Sequence, residues 1–125
     1  MKNDREEFKN KFKRRIYEWV IRLIKRIDEL PRNSSDSVIG KQLLRSGTSV
    51  LANYIEAQAA SSKKDFANFF RYSFKSANES KMWIALLRDT GKFEKEEAGW
   101  LLKELIEISN ILGSSLITLK KQAKK

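Results

Sequence analysis

The sequence predicts an all-α protein, an antiparallel four-helix bundle with up-down-up-down topology. Apolar residues recur at steps of three and four along four long segments, the spacing that gives a helix one apolar face. Only one proline and five glycines occur among the 125 residues. The breaks between the segments are short, and short turns make consecutive helices antiparallel neighbours. We therefore expect one domain covering residues 1–125.

The first helix is predicted at about residues 4–30. Its apolar positions begin at Phe8 and recur every three or four residues. Asn3 or Asp4 can cap its start, since a side-chain oxygen there accepts a hydrogen bond from a free backbone N–H group. Pro31 follows the last apolar position, where a helix cannot continue.

The second helix is predicted at about residues 37–60, after the turn PRNSSDS. Ser35 or Asp36 can act as its cap. If the first two helices form an antiparallel hairpin, Trp19 comes level with Gly47. A large ring opposite a missing side chain is a good packing match, which explains a glycine in a helix interior.

The third and fourth helices are predicted at about residues 63–90 and 94–120. Ser62 can cap the third helix, and Gly91 suits the position just past its end, where a left-handed backbone is common. Apolar and small residues step 3-4-3-4-3-4 along the fourth helix, the spacing of a coiled-coil seam. All four segments can therefore face one shared core.

Polar side chains interrupt the apolar pattern of the second helix at Arg45, Asn53 and Glu56. In an antiparallel hairpin with the third helix, Arg45 comes level with Glu79, and we expect a charge pair that satisfies both groups. For Asn53 and Glu56, which lie one turn apart, we expect a satisfied structural network that also includes Arg45 and Glu79. A functional site at Asn53 and Glu56 is the alternative.

The first and third helices carry more apolar surface than one bundle needs. A helix in a monomeric bundle usually has a single apolar stripe a little over 100° wide. Tyr17 and Ile21 widen the stripe of the first helix, and Phe69, Tyr72 and Trp83 widen that of the third. We expect a homo-oligomer in which another subunit covers these residues. The alternative is that the aromatic rings cover loops or lie flat on a monomer.

Positive charge is concentrated at one end of the predicted bundle. The chain carries a net charge of +10, and the end that holds both termini and the second turn has thirteen basic and five acidic residues. Such an excess favours a polyanionic partner, namely the RNA or DNA backbone, although a soluble, self-repelling surface is the alternative. For Lys124 and Lys125 both interpretations stay open. The candidate nucleic-acid-binding residues are Lys9, Lys11, Arg14, Arg15, Lys63, Lys64, Lys120 and Lys121.

The sequence predicts no catalytic, cofactor or metal site. Histidine and cysteine, the usual bases, nucleophiles and metal ligands, are both absent from the chain. The five glycines are isolated, so no phosphate-binding loop is expected. No apolar run approaches the roughly 20 residues of a membrane span, and the start MKNDREEFKNK lacks the apolar segment of a signal peptide. We expect a cytoplasmic protein with no membrane contact that is not an enzyme.

The stretch LLRSGTSVLANYIEAQAASSKKDFANFF resembles the signature of the bacterial four-helix bundle proteins encoded within 23S ribosomal RNA intervening sequences. The later segment SANESKMWIALL is similar to the small-residue segment of that family and includes Glu79. The resemblance covers residues 39–119. This chain has Asn-Tyr-Ile-Glu-Ala where the family usually has Asn-Ile-Ala-Glu-Gly, a subfamily variation. The residues that match the signature are Arg45, Ser46, Ser49, Asn53, Glu56, Ser62, Asp65 and Phe66.

The resemblance implies a bundle that assembles into a ring-shaped homopentamer. The related accessory proteins of diversity-generating retroelements form similar basic pentamers, which bind nucleic acid and a reverse transcriptase, and the segment ILGSSLITLKK is similar to their ends. Our leading hypothesis is a non-enzymatic, oligomeric protein that binds RNA or DNA through its basic faces. The alternative is an oligomeric scaffold for a protein partner such as a reverse transcriptase, with no direct role in nucleic-acid binding.

Overall fold

The computed structural model describes residues 3–123 of the chain. It contains the four predicted helices, α1 (Asp4–Asp28), α2 (Ser34–Gln58), α3 (Lys63–Asp89) and α4 (Lys95–Ala123), and no strand within the described residues. The all-α prediction is therefore confirmed. Lys2, Lys124 and Lys125, which the charge count at the basic end includes, lie outside the described range.

The caps explain where the helices begin and end. The Asn3 side chain accepts a hydrogen bond from the Glu6 N–H group, and the Ser62 side chain accepts one from the Asp65 N–H group, as the sequence predicts. At Gly91 the backbone is left-handed, with φ of 76°, and α3 ends there. The positive φ favours glycine because it has no Cβ.

The predicted cap of α2 is wrong. Asn33, not Ser35 or Asp36, caps the helix, because its Oδ1 atom accepts a hydrogen bond of 2.9 Å from the Asp36 N–H group. The Asp36 carboxylate is buried instead, where it accepts from the Asn33 amide and lies 3.7 Å from the Lys92 ammonium group. The start of α2 thereby moves to Ser34, three residues before the predicted one.

Helices that are consecutive in the chain pack side by side, and α4 closes the bundle against α1. Within residues 3–123, no Cα atom of α1 lies within 8 Å of one of α3, and the same holds for α2 and α4. This is the up-down-up-down arrangement that short turns require. The structure describes one chain, so the predicted ring-like homo-oligomer stays a prediction.

A single core runs between the four helices, and Trp19 of α1 lies fully buried within it. The indole N–H group of Trp19 donates a hydrogen bond of 3.0 Å to the Leu101 carbonyl of α4. Gly47 of α2 lies beside this ring, as expected, and a Cβ added at Gly47 would be 3.5 Å from the ring carbons. Leu23 is closer still to that position, so Leu23 is the main reason for the glycine. Other fully buried residues are Ile16, Leu43, Val50, Ile84, Leu87, Leu105, Ile108 and Leu112.

Candidate nucleic-acid interface

The starts of α1 and α3 and the ends of α2 and α4 meet at one end of the bundle. A pocket of about 430 Å³ shows this directly, since residues from all four helices line it. They include Lys9 of α1, Gln58 of α2, Phe66 of α3 and Leu119 of α4. We call this end of the molecule the basic end. Its exposed cations are Arg5, Lys9, Lys11, Lys13, Arg14, Lys63, Lys64, Lys120 and Lys121.

A cluster of aromatic rings supports the basic end from inside. The Tyr54 ring packs edge-on against Phe12 and Phe70, with ring centroids 5.1 and 5.7 Å apart. Its hydroxyl group donates to the Lys9 carbonyl at 3.4 Å, and burial raises the pKa of Tyr54 to about 12. The phenol therefore stays protonated at neutral pH. The cluster joins α1, α2 and α3 and holds the backbone that carries Lys9.

Five of the predicted binding residues have no carboxylate partner among the described residues. All five are exposed, and within residues 3–123 no acidic oxygen lies within 4.0 Å of their ammonium groups. Their charge is consequently not neutralised by an ion pair with any of these acidic side chains. The five residues are Lys9, Lys63, Lys64, Lys120 and Lys121.

Lys11 and Arg14 make only weak ion pairs on the surface of α1. Lys11 lies 4.0 Å from Glu7, and Arg14 lies 3.9 Å from Glu18. Both cationic side chains are 79% exposed. Exposed pairs one helical turn apart contribute only about 0.3–0.5 kcal/mol and are easily exchanged. Both cations therefore remain accessible to a phosphate group.

Arg15 differs from the other predicted binding residues, because its guanidinium group is held by two carboxylates of α4. It donates to Glu104 through Nε at 2.6 Å and through Nη2 at 2.9 Å, and it also pairs with Glu107. The hydrogen bond to Glu104 raises the pKa of Arg15. Since its charge is already balanced, we leave Arg15 out of the candidate interface. The sequence did contain an indication of these ion pairs. Arg15 and Arg22 are seven residues apart, as are Glu97 and Glu104, so two antiparallel helices can bring both pairs together.

The predicted polar network contains one of its expected contacts. Arg45 pairs with Glu79 across α2 and α3, and the Trp83 indole N–H group also donates to Glu79, at 2.9 Å. The pair lies at the surface, with the Arg45 side chain 54% exposed. Asn53 does not join it, because its amide donates to a backbone carbonyl of its own helix, and Glu56 is exposed to solvent.

The residues predicted as an oligomer interface lie on two separate surfaces. Phe69 and Trp83 are half-buried on α3, and Tyr72, whose ring lies next to that of Phe69, is exposed. Tyr17 and Ile21, which are also exposed, line a groove between α1 and α2. Its volume is about 690 Å³, and we call it the α1–α2 groove. The groove is lined by Asn10, Lys13, Arg14, Tyr17, Glu18, Ile21, Leu51 and Ile55.

Two comparisons with known proteins agree. The sequence profile of the 23S rRNA-intervening sequence proteins matches residues 9–114. This chain belongs to that family. A crystal structure of a protein of unknown function from the S23 ribosomal protein family of Bacteroides thetaiotaomicron is 33% identical and superposes with a TM-score of 0.80. The match covers 86% of this chain and 96% of that one. Among curated proteins, no sequence matches this chain.

In this 23S rRNA-intervening sequence protein, several residues of the recognised signature have structural roles. Ser46 is fully buried, and its hydroxyl group lies 2.7 Å from that of Ser80 on α3. Ser62 caps α3. The Arg45–Glu79 pair joins α2 and α3 one residue before the two serines in each helix. The signature therefore describes how α2 packs on α3, whereas the exposed cations of the basic end lie largely outside it.

The described part of this intervening-sequence protein holds no group of acidic side chains that could bind a metal ion. Between residues 3 and 123, none of its helices combines the length and the apolar character that crossing a membrane requires.

Proposed function

We propose that this protein is a non-enzymatic nucleic-acid-binding protein that contacts the RNA or DNA backbone through the basic end. The observation that carries the proposal is the group of five exposed lysines without carboxylate partners, which come from α1, α3 and α4. Phosphate groups attract such cations and release bound counterions on contact. Contacts of this kind give affinity with little reading of base sequence.

The proposal includes assembly of several copies. The exposed Tyr72 and the half-buried Phe69 and Trp83 leave an aromatic surface on α3 that a second copy could cover. If copies assemble with their basic ends on one side, as in the ring-shaped pentamer that the resemblance implies, their electrostatic potentials add. We propose the cytoplasm as the place of action, because bacterial RNA and DNA lie there.

A salt titration with charge-reversal variants tests the proposal. The test variant is Lys9→Glu, Lys64→Glu and Lys120→Glu at the basic end. The matched control is Lys25→Glu, Lys41→Glu and Lys95→Glu, three exposed lysines nearer the other end, with the same change in net charge. Binding to a labelled 20-nucleotide RNA, its DNA counterpart and a duplex is measured by fluorescence anisotropy.

We expect the parent protein to lose affinity steeply with salt, with a log–log slope of about −0.7 to −0.9 per phosphate contact. The test variant should bind at least about tenfold more weakly and with a shallower slope, since it lacks three phosphate contacts. The control variant should stay within about threefold of the parent. Equal losses in both variants would mean that net charge alone matters, and would contradict a localised interface.

A protein-interaction scaffold is the second candidate function, favoured by the same aromatic surface on α3. A partner such as a reverse transcriptase would then dock on Tyr72 and its neighbours, and the lysines would serve solubility. Absence of nucleic-acid binding at low salt, together with capture of a protein partner that Tyr72→Ala abolishes, would favour the scaffold.

A further inference from the structure

The α1–α2 groove is the first of three neighbouring pockets that follow α1 toward the basic end. Lys13 and Ile55 line both this groove and a neighbouring pocket of about 330 Å³. Arg5 and Lys9 line that pocket and also the pocket at the tip of the bundle. The three pockets therefore adjoin along α1, from Ile21 to the tip of the bundle, and we call this row of pockets the path.

The floor of this path is apolar and aromatic. Ile55 contributes from α2, together with the half-buried Leu51. Tyr17 contributes from α1 and is 55% exposed, although its neighbours Ile16 and Trp19 are fully buried. An aromatic ring that stays half in solvent beside a groove offers a flat surface for another planar group.

The edge of the path carries more cations than anions. Lys13 and Arg14 lie within one turn of Tyr17, and both are exposed. Of the two carboxylates along the path, Glu18 lies near Arg14, at 3.9 Å, and Glu6 lies in the first turn of α1. The remaining charged residues on the path are Arg5 and Lys9. A partner that fits must therefore combine negative charge with planar apolar groups.

We propose that a single-stranded segment of RNA or DNA lies along this path, with a base stacked on Tyr17 and its phosphates contacted by Lys9, Lys13 and Arg14. This inference rests on the proposed function and specifies which form of nucleic acid the site takes. Single strands present free base faces, and stacking on an aromatic side chain together with backbone cations is how proteins bind them. In a duplex the base faces are covered by neighbouring pairs, so Tyr17 could add nothing.

The dimensions allow a short segment. Sixteen residues separate Arg5 from Ile21, which corresponds to about 24 Å along a helix. At the rise of about 3.4 Å per nucleotide of a stacked strand, this length takes about seven nucleotides. The proposal reassigns Tyr17 and Ile21 from the oligomer interface that the sequence predicts, and it leaves Phe69, Tyr72 and Trp83 to that interface.

The test compares Tyr17 with an exposed apolar side chain that lies away from both the path and the proposed oligomer interface. Tyr17→Ala removes the proposed stacking ring, Tyr17→Phe keeps it, and Ile106→Ala is the control on α4, where the side chain is 46% exposed. Binding to a 12-nucleotide single strand and to a 12-base-pair duplex is measured by anisotropy, and light scattering gives the mass of each variant.

We expect Tyr17→Ala to bind the single strand about tenfold more weakly, as loss of one stacked base implies. Binding of the duplex should change less than about twofold, and Tyr17→Phe and Ile106→Ala should bind the single strand like the parent. A single strand carrying 5-iodouracil should also crosslink to Tyr17 on irradiation.

Other outcomes overturn the inference in distinguishable ways. If the parent binds nucleic acid and Tyr17→Ala binds the single strand equally well, the stacking role is wrong while the proposed function stands. Equal losses for the single strand and the duplex would also refute stacking. If light scattering gives Tyr17→Ala a smaller particle mass than the parent, the groove is an interface between copies instead. If the parent binds neither form at low salt, the proposed function itself fails.

Discussion

The α2–α3 and α1–α4 interfaces hold neighbouring helices together with opposite kinds of side chain. Small buried serines meet between α2 and α3. The Ser46 and Ser80 hydroxyl groups lie 2.7 Å apart, and the Ser73 hydroxyl group donates to the Val50 carbonyl at 2.7 Å. Small side chains allow close approach of the two backbones, and α2 and α3 lie close along much of their length.

Long charged side chains meet between α1 and α4. Arg22 donates to Glu97 at 2.8 Å, Arg15 holds Glu104 with two hydrogen bonds, and the Arg22 guanidinium also lies 3.9 Å from the centre of the Trp100 ring. The backbones of α1 and α4 approach each other at fewer places than those of α2 and α3, and extended arginines are long enough to bridge the wider gap.

The difference shows that two interfaces of one bundle can tolerate different kinds of substitution. At the α2–α3 interface shape is the constraint, so added volume should be costly and salt should matter little. At the α1–α4 interface partly exposed charges are the constraint, so single changes should cost less and should depend on salt and pH. Four predictions test this contrast, from the largest expected effect to the smallest.

Ser80→Leu should be the most destabilising of these changes. Ser80 is fully buried, and a larger side chain must push α2 from α3 and leave the Ser46 hydroxyl group with only its long bond of 3.4 Å to the Leu43 carbonyl. Overpacking and the loss of the short hydrogen bond between the two buried hydroxyl groups together predict a loss of about 3 kcal/mol in the free energy of unfolding. Urea denaturation measures it, with the exposed Ser114→Leu as control. A loss below about 1 kcal/mol would show that this interface can expand.

Gly47→Ala and Gly99→Ala should have effects of opposite sign. A Cβ at Gly47 meets Leu23, so the substitution should cost about 1–2 kcal/mol of unfolding free energy despite the better helix propensity of alanine. A Cβ at Gly99 meets nothing within 4 Å, and alanine there should add about 0.5–1 kcal/mol. Thermal and urea unfolding of the two variants check the signs. Stabilisation by both would mean that Leu23 can move aside.

Glu97→Gln should cost about 1 kcal/mol at low salt, because it removes the carboxylate that Arg22 and Arg26 share. The control is Glu96→Gln on the exposed side of the same turn, where no cation lies within ion-pair distance among the described residues. Urea denaturation at 0.05 and 1 M NaCl separates the two, since the cost at Glu97 should shrink with salt. A cost that does not change with salt would indicate a packing role.

Stability should fall as the pH drops below the ordinary carboxyl range. Hydrogen bonds from Arg22 and Arg15 hold the pKa values of Glu97 and Glu104 below the usual 4.5. A carboxylate whose pKa is lower in the folded state contributes stability that is present above the unfolded value and is lost as the pH falls through the folded value. Unfolding free energy should therefore be level from pH 7 to about 5.5 and decline below about pH 5.

The double variant Glu97→Gln, Glu104→Gln isolates that contribution, because glutamine does not titrate. Its free energy of unfolding should decline less steeply with acid than that of the parent. Parallel curves for the two proteins between pH 6 and 3 would show that other carboxylates account for the acid sensitivity.

Features within one helix or one hairpin could be predicted from the sequence. The four helices, the Ser62 cap and the left-handed Gly91 depend on residues close in the chain, where local geometry decides. The Arg45–Glu79 pair also belongs here, because the short turn between α2 and α3 sets their register. The cap at Asn33 was missed because neighbouring polar residues compete for the same role, and burial of Asp36 decided between them.

Only the tertiary structure decided what depends on closure of the whole bundle. Arg15 meets Glu104, 89 positions along the chain, only after three turns have set the position of α4 beside α1. The path past Tyr17 likewise exists only where α1 and α2 lie side by side and leave a groove between them. Composition places an excess of positive charge near the termini, but pairing removes Arg15 from it and leaves Lys9 free of carboxylates among the described residues. Local residue order therefore determines the helices, whereas contacts between distant segments determine which charges remain available to a partner.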